Sequence, residues 1–222
     1  WEAPRPAAMR AFSRSSSKPT VRSSAGYAAL FDKYKESGSE TIGPDGVERL
    51  CEDMKVDPSD VKLLVLAWAM GATRMGYFTR DEWMSGVPRF GNATTPPDLL
   101  EEVHNLYQAL LRDVERFREL YGFTHRFCRE ERRKTIDVAS AVVMLELLLK
   151  PMWPAHIASL SSFMNDHKQL AQRGVLMDEW MMILQFVRQV KPDVSNYQDD
   201  GAWPLLLDEY VEWKREKDGA AV

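Results

Sequence analysis

Gly71-Ala72-Thr73-Arg74-Met75-Gly76-Tyr77-Phe78-Thr79-Arg80-Asp81-Glu82 is the stretch on which the fold turns. Before it, Val61, Leu64, Val65 and Trp68 recur at helical spacing and stop near Gly71. Asp57 is expected to cap that helix, with Pro58 at its first position and Asp60 at its third. Tyr77-Phe78 reads as a short extended piece. Thr79 and Glu82 have the spacing of a capping box, so a second helix starts there. The quoted residues are therefore a loop between two helices.

Upstream, the same arrangement occurs once more. Tyr27, Leu30, Phe31 and Tyr34 share a helical face, Glu40 to Gly46 interrupts it, and Val47, Leu50, Cys51 and Met54 resume it. Two helix–loop–helix units in succession are the plan of an EF-hand pair. With Phe78 at position eight of a calcium loop, Gly76 takes position six and Glu82 position twelve. Positions one, three and five are then Gly71, Thr73 and Met75, and none supplies a carboxylate. With Ile42 at position eight of the first loop, the same positions are Lys35, Ser37 and Ser39. Calcium needs several hard oxygen ligands. The skeleton is expected to serve packing without metal, and a calcium sensor is the alternative to test.

Further on, Gly91 to Pro97 reads as a linker. Leu99, Val103, Leu106, Leu110, Val114, Phe117 and Tyr121 predict one helix over 98–121, ended by Gly122, with a short helix from Phe123 to Phe127. Asp137 is expected to cap a helix through Leu149, stopped by Pro151 and Pro154. His156 to Leu170 is amphipathic, and Asp178 is read as the cap of a helix from Glu179 to Val190. The expected fold class is all-α: an EF-hand-like helix–loop–helix first half packed on a helical second half. The expected organisation is a disordered basic tail at 1–24, one domain at 25–215 with subdomains 25–91 and 98–215, and a disordered end at 216–222.

With 222 residues, 45% of them hydrophobic, the chain has material for a sizeable core. No apolar run reaches the ~18 residues of a membrane span, and residues 1–24 lack the apolar stretch of a secretory leader. Cys51 and Cys128 form no framework, which suits a reducing compartment. Arg5, Arg10, Arg14, Lys18 and Arg22 against Glu2 give residues 1–24 a net +4; the whole chain is −4, so the remainder carries −8. That balance excludes nucleic acid as the partner of the folded part and favours a basic protein surface. The tail reads as a targeting or membrane-surface segment, a transit peptide or a plain linker. The expected location is nucleus and cytoplasm, with the tail as the one feature that would redirect the chain.

Candidate chemistry is sparse. The four histidines are scattered, no zinc spacing occurs, and phosphate-cradling and GxSxG motifs are absent. Cys128 lies between Arg126 and Arg129, which would lower its pKa, so a cysteine-dependent ligase is a second alternative. Residues 192–213 hold Asp193, Asp199, Asp200, Asp208, Glu209 and Glu212 with no Lys or Arg, and are expected to start as a turn and end as a helix opened by Pro204.

Ser195-Asn196-Tyr197, Asp200-Gly201-Ala202-Trp203-Pro204, Leu207-Asp208 and Tyr210-Val211-Glu212 resemble the potentiating-neddylation domain of the defective-in-cullin-neddylation family. Ile42-Gly43 with Asp45-Gly46, and Ala67-Trp68, agree with it. The resemblance implies an all-helical, non-catalytic scaffold that helps attach a ubiquitin-like modifier to a cullin. The implied partners are the cullin C-terminal winged-helix region, the RING subunit, and the N-acetylated conjugating enzyme of the modifier. The implied cullin grip is Asp178, Ala202 and Asp208, with Glu209 adding steering. The implied acetyl-methionine pocket is Val47, Leu63, Leu66, Ala67, Met75, Phe78, Phe127 and Leu147. No cofactor or metal is implied. Met75 replaces a polar Gln of several members, and Pro44 an aliphatic residue.

Overall fold

A computed structural model describes residues 21–91, 93–199 and 201–219, with side chains from residue 25 onward. It is all-α, with four two-residue strands. In chain order the elements are α1 (Val21–Tyr34), β1 (Thr41–Ile42), α2 (Pro44–Met54), α3 (Val61–Met70), β2 (Phe78–Thr79) and α4 (Arg80–Gly86). A 3-10 turn at Val87–Phe90 leads to α5 (Pro96–Leu110), α6 (Val114–Cys128), β3 (Thr135–Ile136) and α7 (Val138–Leu149). The chain continues through α8 (Pro154–Asp166), α9 (Lys168–Arg173), β4 (Val175–Leu176), α10 (Met177–Gln189) and α11 (Leu205–Gly219).

The expected capping box is present. Thr79 accepts from the Glu82 amide, and the Glu82 carboxylate accepts from the Thr79 amide at 2.8 Å. Tyr27, Leu30, Phe31 and Tyr34 are all buried on one face of α1. β1 and β2 pair antiparallel, with Ile42 opposite Phe78. This clasp joins two helix pairs, and Trp83 fills the space between them. Its indole donates to the Tyr27 carbonyl at 3.1 Å and meets Phe31 and Phe78 edge-on.

The second half is more than a set of helices: it repeats the arrangement. β3 and β4 pair antiparallel, with Ile136 opposite Val175. Trp180 donates to the Tyr121 carbonyl at 2.8 Å. Thr-Ile opens both clasps, at 41–42 and 135–136. Asp-Glu-Trp-Met follows both, at 81–84 and 178–181. One continuous core runs through both units.

Several boundaries differ from the sequence reading. The helix predicted over 98–121 is two helices, because the Asp113 carboxylate accepts the Arg116 amide at 3.1 Å and starts α6 afresh. Val114, expected on the apolar face, is 57% exposed. Gly122 lies inside α6 and does not end it. Asp60 caps α3; Asp57 instead binds Ser59 in the turn before it. α8 and α9 part at His167. α1 begins at Val21, so four residues assigned to the tail are its first turn, one hydrogen bond per residue being gained once a helix is nucleated. The tail reading for residues 1–20 lies outside the described residues. α11 runs to Gly219, past the boundary set at 215: Lys214 pairs with Asp218 at 2.7 Å, and Lys217 sits 4.4 Å from the Trp213 ring centroid. Among the described residues, no helix is long and apolar enough to cross a membrane.

Candidate partner-binding surface

The Asp178 segment is set by what surrounds Glu179. Leu176, not Asp178, is the N-cap of α10, so Asp178 sits in the first turn and is exposed. There its charge faces the positive end of the helix dipole. Glu179 turns inward, 8% exposed, and its carboxylate accepts the Leu176 amide at 2.9 Å. Arg173, at the end of α9, forks onto both Glu179 oxygens at 2.8 and 2.7 Å. That bond, with the nearby charge of Glu209, holds the Arg173 guanidinium above its ordinary pKa.

The Asp208 segment is prepared by the connection from α10 to α11. Asn196 accepts the Lys191 amide at 2.7 Å and donates to the Gln189 carbonyl at 2.9 Å, which ties off the end of α10. Tyr197 is buried against Phe186 and donates its hydroxyl to Asp208. Burial, then the Asp208 bond, raises the Tyr197 pKa, so the phenol stays protonated as donor. Trp203 meets Phe186 edge-on at 5.3 Å. The Ser-Asn-Tyr and Trp-Pro residues are thus structural ties that present Ala202, exposed, and Asp208, half-buried. Residue 200 lies outside the described residues. Glu209 does not project as a free acid: it meets the His167 Nε2 at 3.1 Å.

Arg173 bonds to Glu179 and feels the charge of Glu209, so one guanidinium serves the acids of both α10 and α11. The segments carrying Asp178 and Asp208 are linked through α9, with Arg173 holding one and His167 meeting the other. Leu176, 44% exposed, and Leu205, 69% exposed, add apolar surface to these segments. Sequence reasoning did not single out these leucines, and their exposure is visible only once the helix faces are known.

The eight residues assigned to the apolar pocket divide differently. Leu66, Ala67 and Phe78 are buried in the core. Val47, Leu63, Phe127 and Leu147 are half-buried against it, and Met75 is 51% exposed. They come from α2, α3, the loop before β2, β2, α6 and α7, and α3 packs on α6 as α6 does on α7. Two surface hollows, of about 440 and 340 Å3, contain none of the eight; they lie beside α2, the first against α3 and α5.

The cysteine alternative loses its physical basis. Burial pushes the Cys128 thiol up to about 12, and the charge of Asp137 adds to this. The flanking arginines expected to lower it do not prevail, so the thiolate is scarce at neutral pH. The calcium alternative also meets committed ligands. Glu82, the position-twelve acid, accepts the Thr73 amide and hydroxyl at 2.9 and 2.8 Å. Lys35 and Arg80 lie against Asp32 and Glu40 at the first loop. Among the described residues, no group of three or more metal-type ligands is gathered.

Residues 98–213 match the family model described as cullin binding. The chain is 38% identical over 186 residues to DCN1-like protein 5 of Homo sapiens, covering 82% of this chain and 75% of that protein. It is 36% identical over 188 residues to DCN1-like protein 4 of Drosophila melanogaster, covering 84% and 73%. Against DCN1-like protein 4 of Homo sapiens, identity is 37% over 185 residues, covering 83% and 61%.

Proposed function

Because the chain belongs to the cullin-binding family of DCN1-like proteins, we propose that it is a non-catalytic scaffold that promotes cullin neddylation. The observation that carries this reading is the family match over 98–213, which contains Asp178, Ala202 and Asp208. In this reading those three residues grip a basic surface on the cullin C-terminal winged-helix region, and the RING subunit lies alongside. Exposed Asp178 and half-buried Asp208 supply charge, and Ala202 lets a partner side chain reach the backbone. The conjugating enzyme of the modifier docks its acetylated methionine among Val47, Leu63, Met75, Phe127 and Leu147. Leu66, Ala67 and Phe78, buried in the unliganded chain, form the floor. Acetylation removes the terminal ammonium, so an apolar site takes this terminus without desolvating a charge. Holding both reactants raises their local concentration and limits the orientations they search.

A reconstituted transfer reaction tests the proposal. Asp178→Ala combined with Asp208→Ala should weaken cullin binding about ten-fold or more and lower stimulation in step. Unchanged binding would remove the acidic grip. Acetylated conjugating-enzyme peptide should bind at least about ten-fold tighter than the free amine form; equal affinity would remove the pocket. Cys128→Ala should leave stimulation intact.

A further inference from the structure

Two Asp-Glu pairs each send their glutamate to one end of α9. Asp178-Glu179 opens α10, and Asp208 ends the first turn of α11 with Glu209 next in the chain. Both pairs divide in the same way. The glutamate is held by a group at one end of α9, and the aspartate is the member assigned to the partner. At the start of α9, the His167 Nδ1 accepts the Leu170 amide at 3.1 Å and caps the helix. An Nδ1 that accepts carries no proton, so in the neutral ring the proton sits on Nε2 and is donated to Glu209. At the other end, Arg173 forks onto Glu179 and also donates to the Gly174 carbonyl at 3.1 Å. Phe163 meets the His167 ring edge-on at 5.1 Å and also packs on Tyr210 and Trp213, which fixes the imidazole between α8 and α11.

We infer that α9 is a brace whose two ends, His167 and Arg173, set the separation of Asp178 and Asp208, making both end groups positioning residues for cullin recognition. This rests on the acidic-grip reading above. The brace has three consequences. It withdraws Glu179 and Glu209 from the charge offered to a partner. It fixes the relative placement of two helices joined otherwise by the connection through residues 190–204. It reduces the ordering left to be done on binding, which is how pre-organisation raises affinity.

Conservative substitutions separate the brace from mere folding. In His167→Asn the new side chain still caps α9, since Asn is a good N-cap, but it is too short to reach Glu209. Glu209→Ala removes the acceptor, whereas Glu209→Gln keeps an oxygen for the imidazole N–H. Binding of a cullin winged-helix fragment to the full chain is measured by calorimetry. His167→Asn and Glu209→Ala should each weaken it about five-fold, the double variant by the same about five-fold, and Glu209→Gln should restore it. An additive double variant, about 25-fold weaker, or a Glu209→Gln as weak as Glu209→Ala, would overturn the brace. Amide exchange on the free protein gives a readout that needs no cullin. Residues 206–209 should exchange faster in His167→Asn and Glu209→Ala but not in Glu209→Gln, with α9 still protected. Unchanged exchange overturns the brace by itself; failure of Asp178→Ala and Asp208→Ala to weaken cullin binding overturns only the acidic grip.

Discussion

Trp83 and Trp180 stand at matching places in two copies of one arrangement, and the copies differ in what they do with the residues around them. In both, a Thr-Ile strand clasps the strand before an Asp-Glu-Trp-Met helix, and the indole donates to a tyrosine carbonyl on the preceding unit's first helix. In the first copy Glu82 is satisfied by the neutral donors of Thr73, and Asp81 is exposed on a seven-residue helix. In the second, Glu179 is buried and held by Arg173, and Asp178 is exposed in the first turn of α10. Where Phe31 meets Trp83, His125 meets Trp180. The frame is shared; the acid after the clasp is held by neutral donors in the first copy and by a cation from α9 in the second.

That contrast can be broken at several points. The largest effect is expected at the shared tryptophans. Trp83→Ala and Trp180→Ala should each cost about 3–5 kcal/mol in denaturant unfolding, because each empties a fully buried site. A small loss at one of them would mean that the copies do not share a frame. Next comes the acid after the clasp. Arg173→Met leaves the buried Glu179 carboxylate without its cation, and a loss of about 2 kcal/mol is expected; solvent around the partly exposed guanidinium keeps it below that of a fully buried pair. Thr73→Val, the matching change in the first copy, should cost under about 1 kcal/mol, since Glu82 keeps solvent and backbone partners.

A third comparison concerns binding. Asp178→Ala should lower cullin affinity about ten-fold, while Asp81→Ala should leave it within about two-fold in the same calorimetric assay. The smallest effect concerns pH. Burial holds the pKa of His125 and His156 below the ordinary histidine value, so both rings are neutral when folded, each donating from Nε2 to a backbone carbonyl. The unfolded chain takes up protons first as pH falls. Stability from these groups is therefore complete above about pH 6.5 and declines below it, toward the lowered folded-state values. His125→Phe, which copies Phe31, should cost about 1 kcal/mol at pH 8 through the lost Val175 bond. It should also make the decline below pH 6.5 shallower in denaturant midpoints taken across pH, with His156 keeping part of the slope. An unchanged slope would take His125 out of the acid response.

Much of the frame was legible because single residues act locally. The Thr79–Glu82 box, the Asp137 cap and the apolar face of α1 depend on neighbours three or four positions away. The split of 98–121 was hidden because apolar spacing continues through Leu110 and Val114 although the backbone restarts at Asp113. The repeat was visible as Thr-Ile and Asp-Glu-Trp-Met, but most of the sequence between them differs, so the halves looked unrelated. At the candidate surface, the place of Asp208 on a helix followed from Pro204 as that helix's opening. The pairing of Glu209 with His167 did not, because contacts 42 residues apart leave no local spacing; nor did the inward turn of Glu179, because its partner Arg173 lies six residues back in a separate helix. Nor does spacing reveal that Leu66 and Phe78 are closed over by neighbouring helices.

The two clasps also say something about the order in which the molecule assembles. Each joins residues about 40 positions apart, so each clasp closes within its own half of the chain. α11 has no clasp of its own. It docks chiefly on α8 and relies on Tyr197, His167 and the aromatic cluster of Phe163, Tyr210 and Trp213. We expect it to join last in refolding and to leave first under mild denaturant, which pulse-labelled amide exchange would show as late protection of residues 206–213. Competence to recognise a partner would then be the final event of folding, and a chain released early from synthesis or stress would be compact yet unable to bind.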